Sequence, residues 1–190
     1  KLGIVGNSSR NDDIVQTALS EYYAGNRVLI CVTEELHGHF LQELVRSHHL
    51  ENIKNKVRGL SRDELIKSLA IESDTVLITD ELVELYMDEV LDNIDPGYVF
   101  GSEAAGIKSE LISKMSYGTD ASISIGTSAV GIGVDTKNIN VVILADVRKS
   151  SVKFLQSVGR GSRIKAQETD FSSYSFKVYN YEDWFHPKLM

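Results

Sequence analysis

A chain of 190 residues, 42% hydrophobic and 25% charged, is large enough for one well-buried globular domain and small for two. Its net charge of −7 and sequence pI near 5.2 argue against a protein that works by sequence-independent phosphate binding, which takes a basic surface. One cysteine, Cys31, excludes an intrachain disulfide and fits a reducing, cytoplasmic compartment, and no apolar run approaches the ~20 residues that span a bilayer.

The chain opens on Lys1, and Leu2 to Val5 already read as structured sequence without a signal peptide, so the expectation is a piece of a longer protein. Residues 11–23 carry helical spacing and lead into a β-branched run, VLICV at Val28 to Val32; a second helix is predicted over 37–48. Helical patterns follow at 62–70, 81–94, 107–116 and 151–164. Strands are predicted at Val76 to Thr79, Tyr98 to Phe100, Ala121 to Ile125, Val141 to Ala145 and Phe176 to Tyr179. Short apolar strands alternating with helices are the pattern of βαβ units, so a parallel sheet with helices on both faces and ligands at the carboxyl edge is expected. VLICVTEELHGHFLQELV at 28 is echoed by VLITDELVELYMDEVL at 76, but strand-turn-helix patterns are common and we read the echo as coincidence. With no low-complexity segment or Pro-rich linker, residues 1–190 are expected to form a single domain.

Acidic residues crowd 63–110, whereas Arg148, Lys149, Lys153, Arg160, Arg163 and Lys165 form a local basic run. Within that run, FLQSVGRGSR at 154–163 places Gln156, Arg160 and Arg163 at i, i+4 and i+7, one face of a helix. Gly159 and Gly161 weaken that helix by roughly 1 kcal/mol each relative to alanine, which is tolerable where backbone must approach a ligand closely. Two guanidinium forks beside such a backbone suit a phosphate.

A phosphate loop is not evident elsewhere. GSEAAGIKS at 101–109 misses the pattern GxxxxGK[ST] because Ile107 separates Gly106 from Lys108, which turns the lysine about 100° away around a helix. IGTSAVGIGVDTKNINVVI at 125–143 is a strand end, a small-residue loop and another buried strand. Thr127 and Ser128 are expected just past the strand, where hydroxyls and amides hold a phosphate; Gly131 and Gly133 permit tight turns, and Asp135 offers one carboxylate. His37, His39, His48 and His49 lack metal-ligand spacing and read as ordinary surface histidines, so no metal is expected.

In that order, TSAVGIGVD, NINVVILAD and QSVGRGSR resemble motifs V and VI of superfamily 2 helicases, a T-x5-G-x-D loop, a strand and a Q-x-x-G-R-x-x-R helix. VLICVTEELHGHFLQEL resembles motif IV, and YVFGSEAAGIKSELISKM the strand-glycine-helix segment after it. The resemblance spans roughly 25–180 and is to the second RecA-like domain; within the superfamily it looks most similar to phage recombination and branch-migration helicases of the UvsW type. Residues 50–95, which include VRGLSRDELIKSL, are longer than the family pattern and match no role in it.

The resemblance implies a RecA-like fold without its own P-loop and an ATP-dependent DNA helicase or translocase, with RNA left open as substrate. ATP and Mg²⁺ would be held mainly by an N-terminal RecA-like domain. It makes Arg160 and Arg163 the arginine-finger pair and sets Gln156 near the γ-phosphate or attacking water. Gly133 and Asp135 would couple nucleotide state to the strand-gripping loop, with Gly159 letting the helix approach ATP. Thr127, Ser128 and Gly101, with Thr33 and His37, would contact the nucleic-acid backbone. Recombination and repair in the cytoplasm, the host's for a phage protein, would be its setting. A non-enzymatic nucleic-acid-binding or protein-binding module of helicase-like fold is the alternative reading.

Overall fold

The computed structural model describes residues 6–59, 97–99, 113, 120–127, 139–145 and 176–181. These hold two long helices, α1 (Ser8–Tyr23) and α2 (Glu35–Arg58), and five strands, β1 (Arg27–Val32), β2 (Gly97–Val99), β3 (Ser122–Thr127), β4 (Val141–Leu144) and β5 (Lys177–Asn180). The strands form one sheet in the order β2-β3-β1-β4-β5, every pair parallel, as the alternation of strand and helix patterns predicts.

Helix α1 begins where Asn7 caps it, its side chain accepting from the amide of Arg10 at 3.2 Å. It ends in a Schellman arrangement: the Gly25 amide donates to the Tyr22 carbonyl at 2.9 Å and the Asn26 amide to the Glu21 carbonyl at 3.0 Å. Gly25 has φ of +83°, and a Cβ there would meet nothing in space, so the backbone conformation itself selects glycine.

Helix α2 runs ten residues beyond the predicted 37–48. Leu50, Glu51, Ile53, Lys54 and Lys56 are good or acceptable helix formers, and no glycine or proline interrupts them before Gly59.

Ile30 of β1 lies in register with Ile125 of β3 and Ile143 of β4. With Val28, Val32, Ile123 and Val141 they pack against Ile14, Val15, Ala18 and Leu19 of α1 and Leu41 and Val45 of α2. The other side of the central strands is buried as well, with Leu29 1% and Val142 0% exposed, the state of a parallel sheet covered on both faces. Edge strand β5 differs: Val178 is 44% exposed while Tyr179 packs on the core.

Polar staples fix the amino edge. Asn140 accepts from the Arg27 amide at 2.7 Å and donates to the Asn26 side-chain carbonyl at 2.7 Å, while the Lys177 amide donates to its carbonyl at 2.9 Å. Beside it, Glu21 receives the Lys177 ammonium on both oxygens at 2.9 Å, the Tyr179 hydroxyl, and the Asn26 amide at 2.6 Å. Burial pushes the Glu21 carboxyl up, but the Tyr179 hydroxyl, the Lys177 ammonium and the Asn26 amide outweigh it and hold the group below its usual range.

Candidate functional site at the carboxyl edge of the sheet

The strands end side by side where α1 and α2 begin. Val32, the last residue of β1, pairs with Thr127, the last residue of β3, so Thr33 and Thr127 occupy adjacent strand exits. Thr127 was expected just beyond its strand; β3 instead extends through Gly126 and Thr127 because both keep their pairing with β1. Both threonines are half-buried. On the other side of β1, the Ala145 amide donates to the Cys31 carbonyl at 3.0 Å, and the Tyr181 amide to the Leu144 carbonyl at 3.1 Å. This brings together two threonines and the amino ends of two helices at one edge, groups of the kind that hold phosphate oxygens, while the Ala145 and Tyr181 amides are taken up within the sheet.

His37 lies in the first turns of α2 at this edge, but its side chain is 0% exposed and its Nε2–H donates to Oδ1 of Asn11, also 0% exposed, at 2.9 Å. The imidazole therefore joins α2 to α1 inside the domain and does not present itself to a nucleic-acid backbone.

The reading of the histidines as ordinary surface groups is corrected for His37 and for His49, which is 3% exposed. His49 shares a hydrogen bond of 2.7 Å with the Tyr23 hydroxyl through Nδ1 and stacks on the Tyr23 ring with centroids 5.7 Å apart. Burial pushes its pKa below the usual histidine value. His48 is half-buried, accepting from Gln16 at 2.8 Å and donating to Asp12 at 3.3 Å. Among the described residues no group of three or more potential metal ligands occurs. Cys31 is buried, which pushes its thiol well above the usual range and makes it a poor nucleophile.

Of the expected site residues, the structure describes Thr33, His37 and Thr127. Gly101, Ser128, Gly133, Asp135, Gln156, Gly159, Arg160 and Arg163 lie outside the described residues.

Arg10 belongs to the edge and was missed by sequence reasoning. It is 8% exposed, and its Nη2 donates to the Ala145 carbonyl and, at 2.9 Å, to the Tyr181 carbonyl. The signal was available, since Arg10 and Asn11 continue the buried stripe of Ile14, Val15, Ala18 and Leu19 toward the helix start. A charged and an amide side chain on such a stripe need buried acceptors, here two strand-end carbonyls and the Asn11 bond to His37.

Residues 61–165, more than half of the chain, match the helicase conserved C-terminal domain family, and the chain belongs to that family. Among solved structures, that of T4 UvsW is similar over 93% of this chain with a TM-score of 0.55 at 17% identity. The C-terminal domain of the DEAD-box protein Dbp5 aligns over 94% of this chain and 73% of its own at 13% identity, with a TM-score of 0.49. The chain spans 26% of the length of the UvsW chain. At these identities the likeness is one of fold, and that fold is the RecA-like parallel sheet of helicase C-terminal domains. No curated protein matches the sequence.

Proposed function

We propose that this chain is the C-terminal motor domain of an ATP-dependent DNA helicase or translocase. The observation that carries this reading is that the stretch matched by the helicase family includes both the TSAVGIGVD loop and the QSVGRGSR helix pattern. The sheet supports it, since β3 and β4, the strands that precede those two stretches, flank β1 and run parallel toward one edge. In this reading ATP and Mg²⁺ are held mainly by an N-terminal RecA-like domain, and ATP supplies the phosphoryl group whose transfer to water drives the cycle.

This chain's part is electrostatic and mechanical. Arg160 and Arg163 reach across the cleft to the charge that develops on the γ-phosphoryl group, with Gln156 hydrogen-bonding beside them. Gly159 permits the approach, and Gly133 with Asp135 relays nucleotide state to the adjoining loop. Thr127, Ser128, Gly101 and Thr33 hold the backbone of the strand; the His37 imidazole is left out because it is enclosed. Closing the cleft on ATP and opening it after hydrolysis shifts this grip relative to that of the other domain, which moves the strand. The acidic balance suits a half that holds only a few phosphates. Action in recombination and repair, in a cytoplasmic setting, follows the resemblance to the UvsW type.

ATP turnover by the 190-residue chain, measured with and without single-stranded DNA, tests the division of labour. We expect none from the chain by itself and DNA-stimulated turnover when it is joined to an N-terminal RecA-like domain. Hydrolysis by the chain by itself contradicts the reading. Stimulation by RNA in place of DNA changes the substrate assignment and leaves the motor assignment intact.

A further inference from the structure

We propose that Leu36 and Phe40, on the outer face of the first turns of α2, form an apolar platform for the unpaired bases of the strand whose backbone is held at Thr33. This deepens the motor reading and rests on it. Leu36 is 68% exposed and Phe40 45% exposed. Four residues apart on a helix, they are separated by about 40° around its axis and form one strip. The same turns bury His37, at 0% exposed, and Leu41, so the helix that withdraws the expected histidine contact presents Leu36 and Phe40 to solvent.

The strip stands beside the proposed backbone grip. Strand β1 ends at Val32 and α2 begins at Glu35, so Leu36 follows Thr33 by three residues and lies within about 11 Å of it. Helical side chains tilt toward the amino end of their helix, so Leu36 and Phe40 lean toward the edge where Thr33 and Thr127 leave the sheet. The other large apolar side chains exposed among the described residues stand elsewhere: Tyr23 stacks on His49, and Val178 lies on edge strand β5.

Charge decides which part of a strand meets this face. Glu35 and Glu43 are exposed and Glu34 is half-buried, while Arg46, one turn further on, is paired with Glu43 at 3.4 Å. Carboxylates on both sides of the strip repel phosphates, and Leu36 and Phe40 offer an ion nothing. A strand whose phosphates are held at Thr33 therefore turns its bases toward Leu36 and Phe40. The faces of unpaired bases are apolar and stack on an aromatic ring whatever their sequence.

The test is the affinity of the full-length protein for single-stranded oligothymidylate and for an abasic strand of the same length, read by fluorescence anisotropy with the folded fraction followed by circular dichroism. F40A is expected to raise Kd for oligothymidylate about 5- to 20-fold and to change Kd for the abasic strand less than about twofold, with an unchanged slope of log affinity against log salt. F40W, which keeps a ring, is expected to bind oligothymidylate as the wild type does.

Equal losses on the two strands overturn the proposal, because they show an effect on the backbone grip or on the fold, and so does unchanged affinity for both. Normal strand binding with a loss of ATP turnover in the absence of DNA also overturns it, because the face then belongs to the contact with the N-terminal domain. If F40A does not fold, F40L, which keeps the apolar packing and loses the ring, is read in the same comparison with the same outcomes. A wild-type protein without affinity for either strand refutes the motor reading instead, and the proposal falls with it.

Discussion

Replacing His37 by leucine separates a packing role from a nucleic-acid contact. The imidazole and the Asn11 amide are both 0% exposed and bonded at 2.9 Å across α1 and α2, so the substitution removes one buried partner of the Asn11 amide. Breaking one such bond leaves the remaining group paying its desolvation cost of about 1–3 kcal/mol. For a domain of this length, a loss of about 2 kcal/mol lowers Tm by about 4–8 °C. The assay is thermal unfolding followed by circular dichroism, paired with DNA titrations at several salt concentrations. The expected result is a lower Tm with an unchanged slope of log affinity against log salt. An unchanged Tm with a slope reduced by about one would refute the reasoning, because it is the signature of a lost phosphate contact.

The remaining structural predictions follow from burial and charge. His49 resists protonation when folded and accepts it when unfolded, so its contribution is present above the unfolded pKa of about 6.5 and is lost as pH falls below it. H49F, which keeps a ring against Tyr23, is expected to flatten the fall in stability between about pH 7 and 5; a profile identical to the wild type contradicts this. Glu21, with its folded pKa lowered, stabilises above the unfolded carboxylate range and loses that contribution as pH falls through the folded value. E21Q is accordingly expected to cost about 1–2 kcal/mol at neutral pH and less in acid, measured by urea unfolding at both. Cys31, buried with a raised thiol pKa, should react with a thiol reagent many times faster in denaturant than in native buffer; equal rates would place it at the surface.

The middle of the sheet was legible because β1 and β4 each carry a continuous apolar run. VLICV and VVILA fill central positions buried on both faces, where hydrophobic content depends little on register. Element ends were less legible. Thr127 belongs to β3 because its pairing partner Val32 continues beside it, a fact held by the neighbouring strand and absent from the local sequence. The second half of α2 was less legible because His49, read as a surface group, is buried only once Tyr23 is placed against it.

The candidate site divides in the same way. The glycines, hydroxyls and arginines of the helicase motifs stand at fixed spacings along the chain, so they are visible in one dimension. Arg10 acts on Ala145 and Tyr181, residues 135 and 171 positions away, and only the parallel order of β4 beside β5 reveals what it holds. The burial of His37 likewise depends on α1 crossing α2 at Asn11.

ATP turnover of the full-length protein carrying Arg160→Ala tests the central claim most directly. The account predicts a fall of about 10³-fold or more in DNA-stimulated kcat, with the folded fraction unchanged, as expected for loss of an arginine that stabilises charge on the transferred phosphoryl group. Turnover within a few fold of the wild type would contradict it.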